Sequence, residues 1–143
     1  MVNSALYVFV LLLLLTTGTA VRVRLIGGSG PYEGRVEVYY GGRWGTVCDD
    51  YFTNAAARVV CFSLGYGRGG YIVGRRYGAG SARIWFDDVR CTGSETSISS
   101  CPHRIQWSEV GSYSCSRSEA ISVSCIIVRL VDGPSPREGR LEV

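Results

Sequence analysis

The chain has 143 residues and a formal net charge of +3, with 46% hydrophobic residues, six cysteines and one histidine. The lone His103 and the absence of any Cys-x-x-Cys exclude a zinc site built from cysteine and histidine. All 15 basic residues are Arg and none is Lys, which suits bidentate contacts with sulfate, phosphate or carboxylate groups.

Residues 5–15, "ALYVFVLLLLL", form an apolar run shorter than the roughly 20 residues that a bilayer span needs. The run matches the hydrophobic region of a secretory signal, with Gly18 and Ala20 as the small residues before a cut. Residues 1–20 are therefore expected to be a signal peptide, an uncleaved membrane anchor being the competing reading. Behind such a signal, an even number of cysteines, all between Cys48 and Cys125, reads as a disulfide framework. The line "VRLIGGSGPYEGRVEV" at residues 23–38 recurs as "VRLVDGPSPREGRLEV" at residues 128–143, with ten of sixteen positions identical at an offset of 105. That offset exceeds solenoid periods, so each copy has the length of a domain. The expected organisation is a signal peptide at 1–20, one domain at 21–127, and the start of a second, truncated repeat at 128–143. On this reading the sequence is the front of a longer tandem protein.

Within the first copy, Val36, Val38 and Tyr40 alternate with Glu37 and Tyr39, the period of a half-buried strand. Gly41-Gly42 can take positive φ at both central turn positions, so residues 35–40 and 43–48 are expected to form a β-hairpin. In "TNAAARVVCFSLGYG", Thr53 or Asn54 is expected to cap a helix that carries Cys61 and ends at Gly65. The glycine-rich residues 66–81 read as loop. Residues 84–86 read as a buried strand, 102–115 as irregular, and "AISVSCIIV" as a final strand. The expected fold class is α+β, a small disulfide-stapled domain with one helix against several short strands.

Four blocks, "GRVEVYYGGRWGTVCDD", "VVCFSLGYG", "IWFDDVRCTGSETSISSCPH" and "CSRSEAISVSC", closely resemble the scavenger receptor cysteine-rich (SRCR) domain, in order and in spacing. The resemblance covers roughly residues 23–126. It implies a curved antiparallel sheet cradling a single helix. Tyr32 and Tyr66 stand where an eight-cysteine group of the family has a cysteine pair, so the chain is similar to the six-cysteine group. For that group the resemblance implies the bonds Cys48–Cys115, Cys61–Cys125 and Cys91–Cys101.

No Gly-x-Ser-x-Gly elbow faces His103, and the glycines of residues 66–80 lack the Lys-Ser/Thr of a phosphate loop. The domain is therefore not expected to be an enzyme, although domains of this family do occur beside enzyme domains. Two constellations remain. Asp49, Asp50 and Glu119 form the better candidate for a Ca²⁺ site, with Asp87 and Asp88 near a second, because clustered carboxylates are relieved by a hard cation. The resemblance carries these residues over, with one departure: Glu119 is followed by Ala120-Ile121-Ser122 where the family often has Asp-Ala-Gly. Helix capping and turn formation are the competing roles for these acids. The second constellation is Arg68, Arg75, Arg76, Arg83 and Arg90, mixed with Tyr71 and Tyr77. It suits polyanionic glycans or the phosphates of lipopolysaccharide; a scattered, solvated surface with Arg–Asp pairs is the alternative. No recognition helix is present, so no specific nucleic acid is expected. The expectation is a secreted or cell-surface binding module for polyanions, Ca²⁺ assisting, with membrane contact only through an anchor outside this sequence. An adhesion or protein-binding spacer and an accessory domain of a secreted enzyme are the alternatives.

Overall fold

The computed structural model describes residues 20–80, 83–106, 115–125, 129–135 and 138–142. The expected signal sequence up to residue 19 and residues 107–114 lie outside these; of the stretch expected to be irregular, residues 104–105 form a short strand. Among the described residues no helix is long and apolar enough to cross a membrane.

Strand β1 (Arg22–Gly27) turns through residues 28–32 into β2 (Glu33–Tyr40), the centre of the sheet. One edge of β2 is taken by β1, from Gly34 to Tyr39. Its other edge is divided between β3 (Arg43–Val47) at residues 37–40 and β7 (Ser122–Ser124) at residues 33–35. The sheet continues from β3 to β5 (Ile84–Asp87) and β6 (Arg104–Ile105), and from β7 to β4 (Tyr71–Ile72). Among the described strands of this sheet only the β3–β5 pair is parallel. The hairpin turn falls on Gly41 and Gly42, with φ of 56° and 81°, as local chemistry demands.

Alternation sorts the strands. Val36 and Val38 point inward and are fully buried, while Arg22, Arg24, Glu37, Tyr39 and Trp44 share the outer face. The inward residues meet helix α1 (Asn54–Ser63), which buries Ala56, Ala57, Val59, Val60 and Cys61. Small alanines let the helix sit close to the sheet. Phe86, Val89, Ile98, Ile121 and Val123 complete the core. Gly45 is dictated by packing: a Cβ there would lie 2.1 Å from Cδ1 of the buried Trp85, nearer than any side chain tolerates.

Helix α1 ends at Gly65, whose φ is 84°, with Tyr66 donating its N–H back to Cys61. Its start differs from expectation. Thr53 stands at the N-cap without a side-chain bond, and the Asn54 carboxamide instead accepts the N–H of Ile72 at 2.9 Å. That bond helps hold β4 inside the glycine-rich stretch, which is therefore not all loop. Tyr32 and Tyr66 meet edge to face at 5.0 Å, an apolar contact at the place where the resemblance sets a missing cysteine pair. Disulfides join Cys48 to Cys115, Cys61 to Cys125 and Cys91 to Cys101.

A separate hairpin, β8 (Arg129–Ser135) with β9 (Glu138–Glu142), follows. Its pairs Arg129↔Glu142, Leu130↔Leu141 and Val131↔Arg140 repeat Arg24↔Glu37, Leu25↔Val36 and Ile26↔Arg35 of the first hairpin. Asp132 takes φ of 59° where Gly27 has 81°. The sequence repeat is a repeat of strand register.

Candidate functional site

The acidic residues are brought together by backbone pairing. Cys48 bridges to Ala120, and the N–H of Asp49 reaches the carbonyl of Glu119 at 2.8 Å. The Cys48–Cys115 bond fastens the same two segments. One carboxylate oxygen from each of Asp49, Asp50 and Glu119 lies within 4.8 Å of the others. Asp50 also stands within 4.8 Å of Asp87, so the two acidic groups that the sequence reading kept apart meet at Asp50. Asp87 is buried and accepts the N–H of Asp88 at 2.7 Å. Burial, and then the charges of Asp88 and Asp50, push its carboxyl above the usual carboxylate range. Asp88 is left at φ of 51° and faces Arg104 at 3.4 Å.

A cation already stands at the first group. Arg75 places Nε 2.6 Å from Asp49 Oδ2 and Nη2 3.5 Å from Glu119 Oε1. The hydrogen bond that Arg75 donates to Asp49 holds the guanidinium pKa above its usual value. The other oxygen of Glu119 accepts the N–H of Ser116. Three carboxylates on a stapled frame can hold a hard cation, and here one of the chain's own arginines shares them.

The remaining predicted arginines have separate surroundings. Arg68 donates to the carbonyls of Gly93, Ser94 and Glu95 at 2.7, 3.1 and 3.0 Å, and lies 3.9 Å over the ring of Phe62. Its charge fastens a turn. Arg83 lies over buried Trp85 at 4.7 Å. Arg76 and Arg90 are exposed, at 5.7 Å over Tyr77 and 3.6 Å over Tyr51. Tyr71, at an exposed position in β4, meets the N–H···O ladder of β7. His103 is structural, its Nδ1 at 2.6 Å from the carbonyl of Cys101 and its ring stacked on Phe86 at 4.2 Å.

Sequence reasoning passed over Arg22 and Arg24. They straddle an aromatic pair on the outer face of the sheet: Arg22 is 4.8 Å from the ring of Tyr39, and Arg24 is 4.1 Å from that of Trp44. Arg24 and Arg35 share the buried carboxylate of Glu37, leaving this cluster with more guanidinium than acid. The available signal was the alternation Arg-x-Arg in β1 opposite Tyr39 and Trp44.

Residues 26–126 match the family model of the scavenger receptor cysteine-rich domain. A scavenger receptor cysteine-rich domain superfamily protein of Patiria pectinifera is 44% identical over 123 residues, which cover 85% of this chain and 10% of that protein. The chain thus spans about a tenth of that relative's length. Among solved structures, the third SRCR domain of murine neurotrypsin is 38% identical, with a TM-score of 0.65 over 73% of this chain and 95% of that one. The SRCR domain of mouse MARCO, in its dimeric form, is 42% identical, with a TM-score of 0.58 and the same coverages, 73% and 95%.

Proposed function

The chain belongs to the scavenger receptor cysteine-rich family, whose domains are extracellular, non-catalytic binding modules, and from that premise we propose that it binds polyanions with Ca²⁺ assisting. The ligands would be sulfated glycans or the phosphates of lipopolysaccharide, met by a chain secreted or held at the outer face of the plasma membrane. The observation that carries this reading concerns arginine. Among the described residues, Arg22 and Arg90 have aromatic partners and no carboxylate partner, while Arg76, over Tyr77, is attracted by Glu33 without a close ion pair. A ring under a guanidinium fixes its plane and leaves the N–H edge pointing outward, the geometry that grips a sulfate or phosphate. Asp49, Asp50 and Glu119, with Asp87 and Asp88 beside them, supply the oxygen ligands proposed for Ca²⁺, at the modest affinity of extracellular sites, Kd on the order of 10⁻⁴–10⁻³ M. Repetition of the domain would raise weak single-site affinity through avidity, which the repeated strand register supports.

The test is heparin binding by the oxidised chain across a salt series. Polyanion binding through several arginines weakens about tenfold or more between roughly 50 and 200 mM salt, and millimolar Ca²⁺ strengthens it. Affinity indifferent to salt would replace this reading with a shape-driven protein partner, as for an adhesion spacer or an accessory domain.

A further inference from the structure

Arg75 sits on a turn held by hydrogen bonds to Ser122 and Glu33. The N–H of Ser122 donates to Gly74 at 2.7 Å, and Val73 donates to Ser122 at 2.9 Å. The Tyr77 N–H reaches the Ser122 hydroxyl, and the Tyr77 hydroxyl donates to Glu33. The turn is clamped on both sides, while the Arg75 side chain is 52% exposed. Its neighbour Arg76 is exposed and is attracted by the Glu33 carboxylate without forming a close ion pair among the described residues. When Arg75 swings away, two adjacent guanidiniums face the same solvent, and Asp49 and Glu119 lose the counter-charge that Arg75 gives them.

Those facts impose a competition. Arg75, a divalent cation and an anionic ligand cannot all be satisfied independently: the carboxylates attract the first two, and the guanidinium attracts the carboxylates and the third. We infer that Arg75 is a tethered counter-ion that closes the acidic group, and that Ca²⁺ assists polyanion binding by displacing Arg75 and releasing it to the ligand. The inference rests on the proposed function and deepens it, because it assigns the cation an indirect role. Linkage makes the effect reciprocal: a polyanion that holds Arg75 raises the affinity of the carboxylates for Ca²⁺ by the same factor. Exposed ion pairs are weak, so the latch is worth a factor of about three to ten in affinity, which a ligand is able to overcome.

The experiment compares the wild-type oxidised chain with Asp49→Asn and Arg75→Gln, measuring heparin affinity in chelator and in millimolar Ca²⁺. With the latch, Asp49→Asn in chelator binds heparin about three- to tenfold tighter than wild type and no longer responds to Ca²⁺. Arg75→Gln binds more weakly than Ca²⁺-loaded wild type and loses most of its Ca²⁺ response. Both models remove the Ca²⁺ response of Asp49→Asn, but a bridging cation predicts no gain for Asp49→Asn in chelator and a full Ca²⁺ response for Arg75→Gln; that result overturns the latch while the functional reading stands. If wild type binds no heparin under any condition, the functional reading fails by itself. The latch is then decided by Ca²⁺ titration calorimetry, in which Arg75→Gln must bind Ca²⁺ tighter than wild type; equal or weaker affinity overturns it. Unchanged thermal unfolding of both variants shows that the fold is intact.

Discussion

A guanidinium carries the same charge wherever it stands, and its role is decided by what its N–H groups meet. Arg68 meets three carbonyls of one turn and the face of Phe62; Arg76 lies over the Tyr77 ring and faces solvent. Truncating the first should therefore cost stability, and truncating the second should cost binding. Arg68→Ala leaves those carbonyls without their charged donor and is expected to destabilise by about 1–3 kcal/mol in a denaturant titration, with heparin affinity little changed. Arg76→Ala is expected to stay within about 0.5 kcal/mol of wild type while lowering the salt slope of heparin binding by roughly one. The reverse pattern would return Arg68 to the ligand surface. Nothing local in "YGRGGY" distinguishes these outcomes, because the carbonyls that capture Arg68 come from residues 25 to 27 positions later. Residue chemistry was legible at Gly41-Gly42 and Gly65, where the backbone itself sets the demand. It was illegible wherever a side chain's partner is distant, and the Arg75–Asp49 pair, 26 residues apart, is the plainest case.

Elements behave the same way. The β2–β3 hairpin and helix α1 were legible from period and capping glycine, whereas β4 has only two residues and exists because Asn54 and β7 supply its partners. The turn at residues 92–95 is likewise an element made by side chains. Glu95 accepts the N–H groups of Thr92 and Gly93 and the Thr92 hydroxyl, which lower its carboxyl from 4.5 to about 2. A depressed folded pKa stabilises fully above the unfolded value of 4.5 and loses that contribution as pH falls towards 2. Asp87 has the opposite sign: with its folded pKa raised, ionisation opposes folding at neutral pH, and the penalty lifts as pH falls through the folded pKa. In chelator, the urea midpoint of Glu95→Gln should therefore approach that of wild type as pH falls from 4.5 to 2, both proteins having lost the contribution. Asp87→Asn should raise the midpoint at pH 7 and converge with wild type in acid. An Asp87→Asn variant less stable than wild type at pH 7 would show that a counter-charge of the chain, such as Arg104, outweighs the burial of the carboxylate.

At the scale of the molecule, the disulfides decide which distant chemistry is kept. The Cys48–Cys115 and Cys61–Cys125 bonds close 67 and 64 residues, and Cys91–Cys101 closes 10. In the chain-entropy model each long bond stabilises by about 4 kcal/mol and the short one by about 3 kcal/mol. The similarity in energy hides a difference in role. Cys48–Cys115 is the covalent part of the frame that sets Asp49 beside Glu119, and so beside Arg75. Cys91–Cys101 closes a loop around the turn that Arg68 and Glu95 already hold. Removing either bond by paired Cys→Ser substitution should lower stability by about 3–4 kcal/mol, read from the denaturant midpoint. Only the Cys48→Ser/Cys115→Ser variant should also release the acidic frame. In that background, Asp49→Asn should no longer tighten heparin binding in chelator, because Arg75 has already lost its geometry. In the Cys91→Ser/Cys101→Ser background the effect of Asp49→Asn should persist in full. Equal persistence in both would mean that the backbone pairing of Asp49 with Glu119 holds the frame without the covalent bond, and the long disulfide would then matter for stability alone.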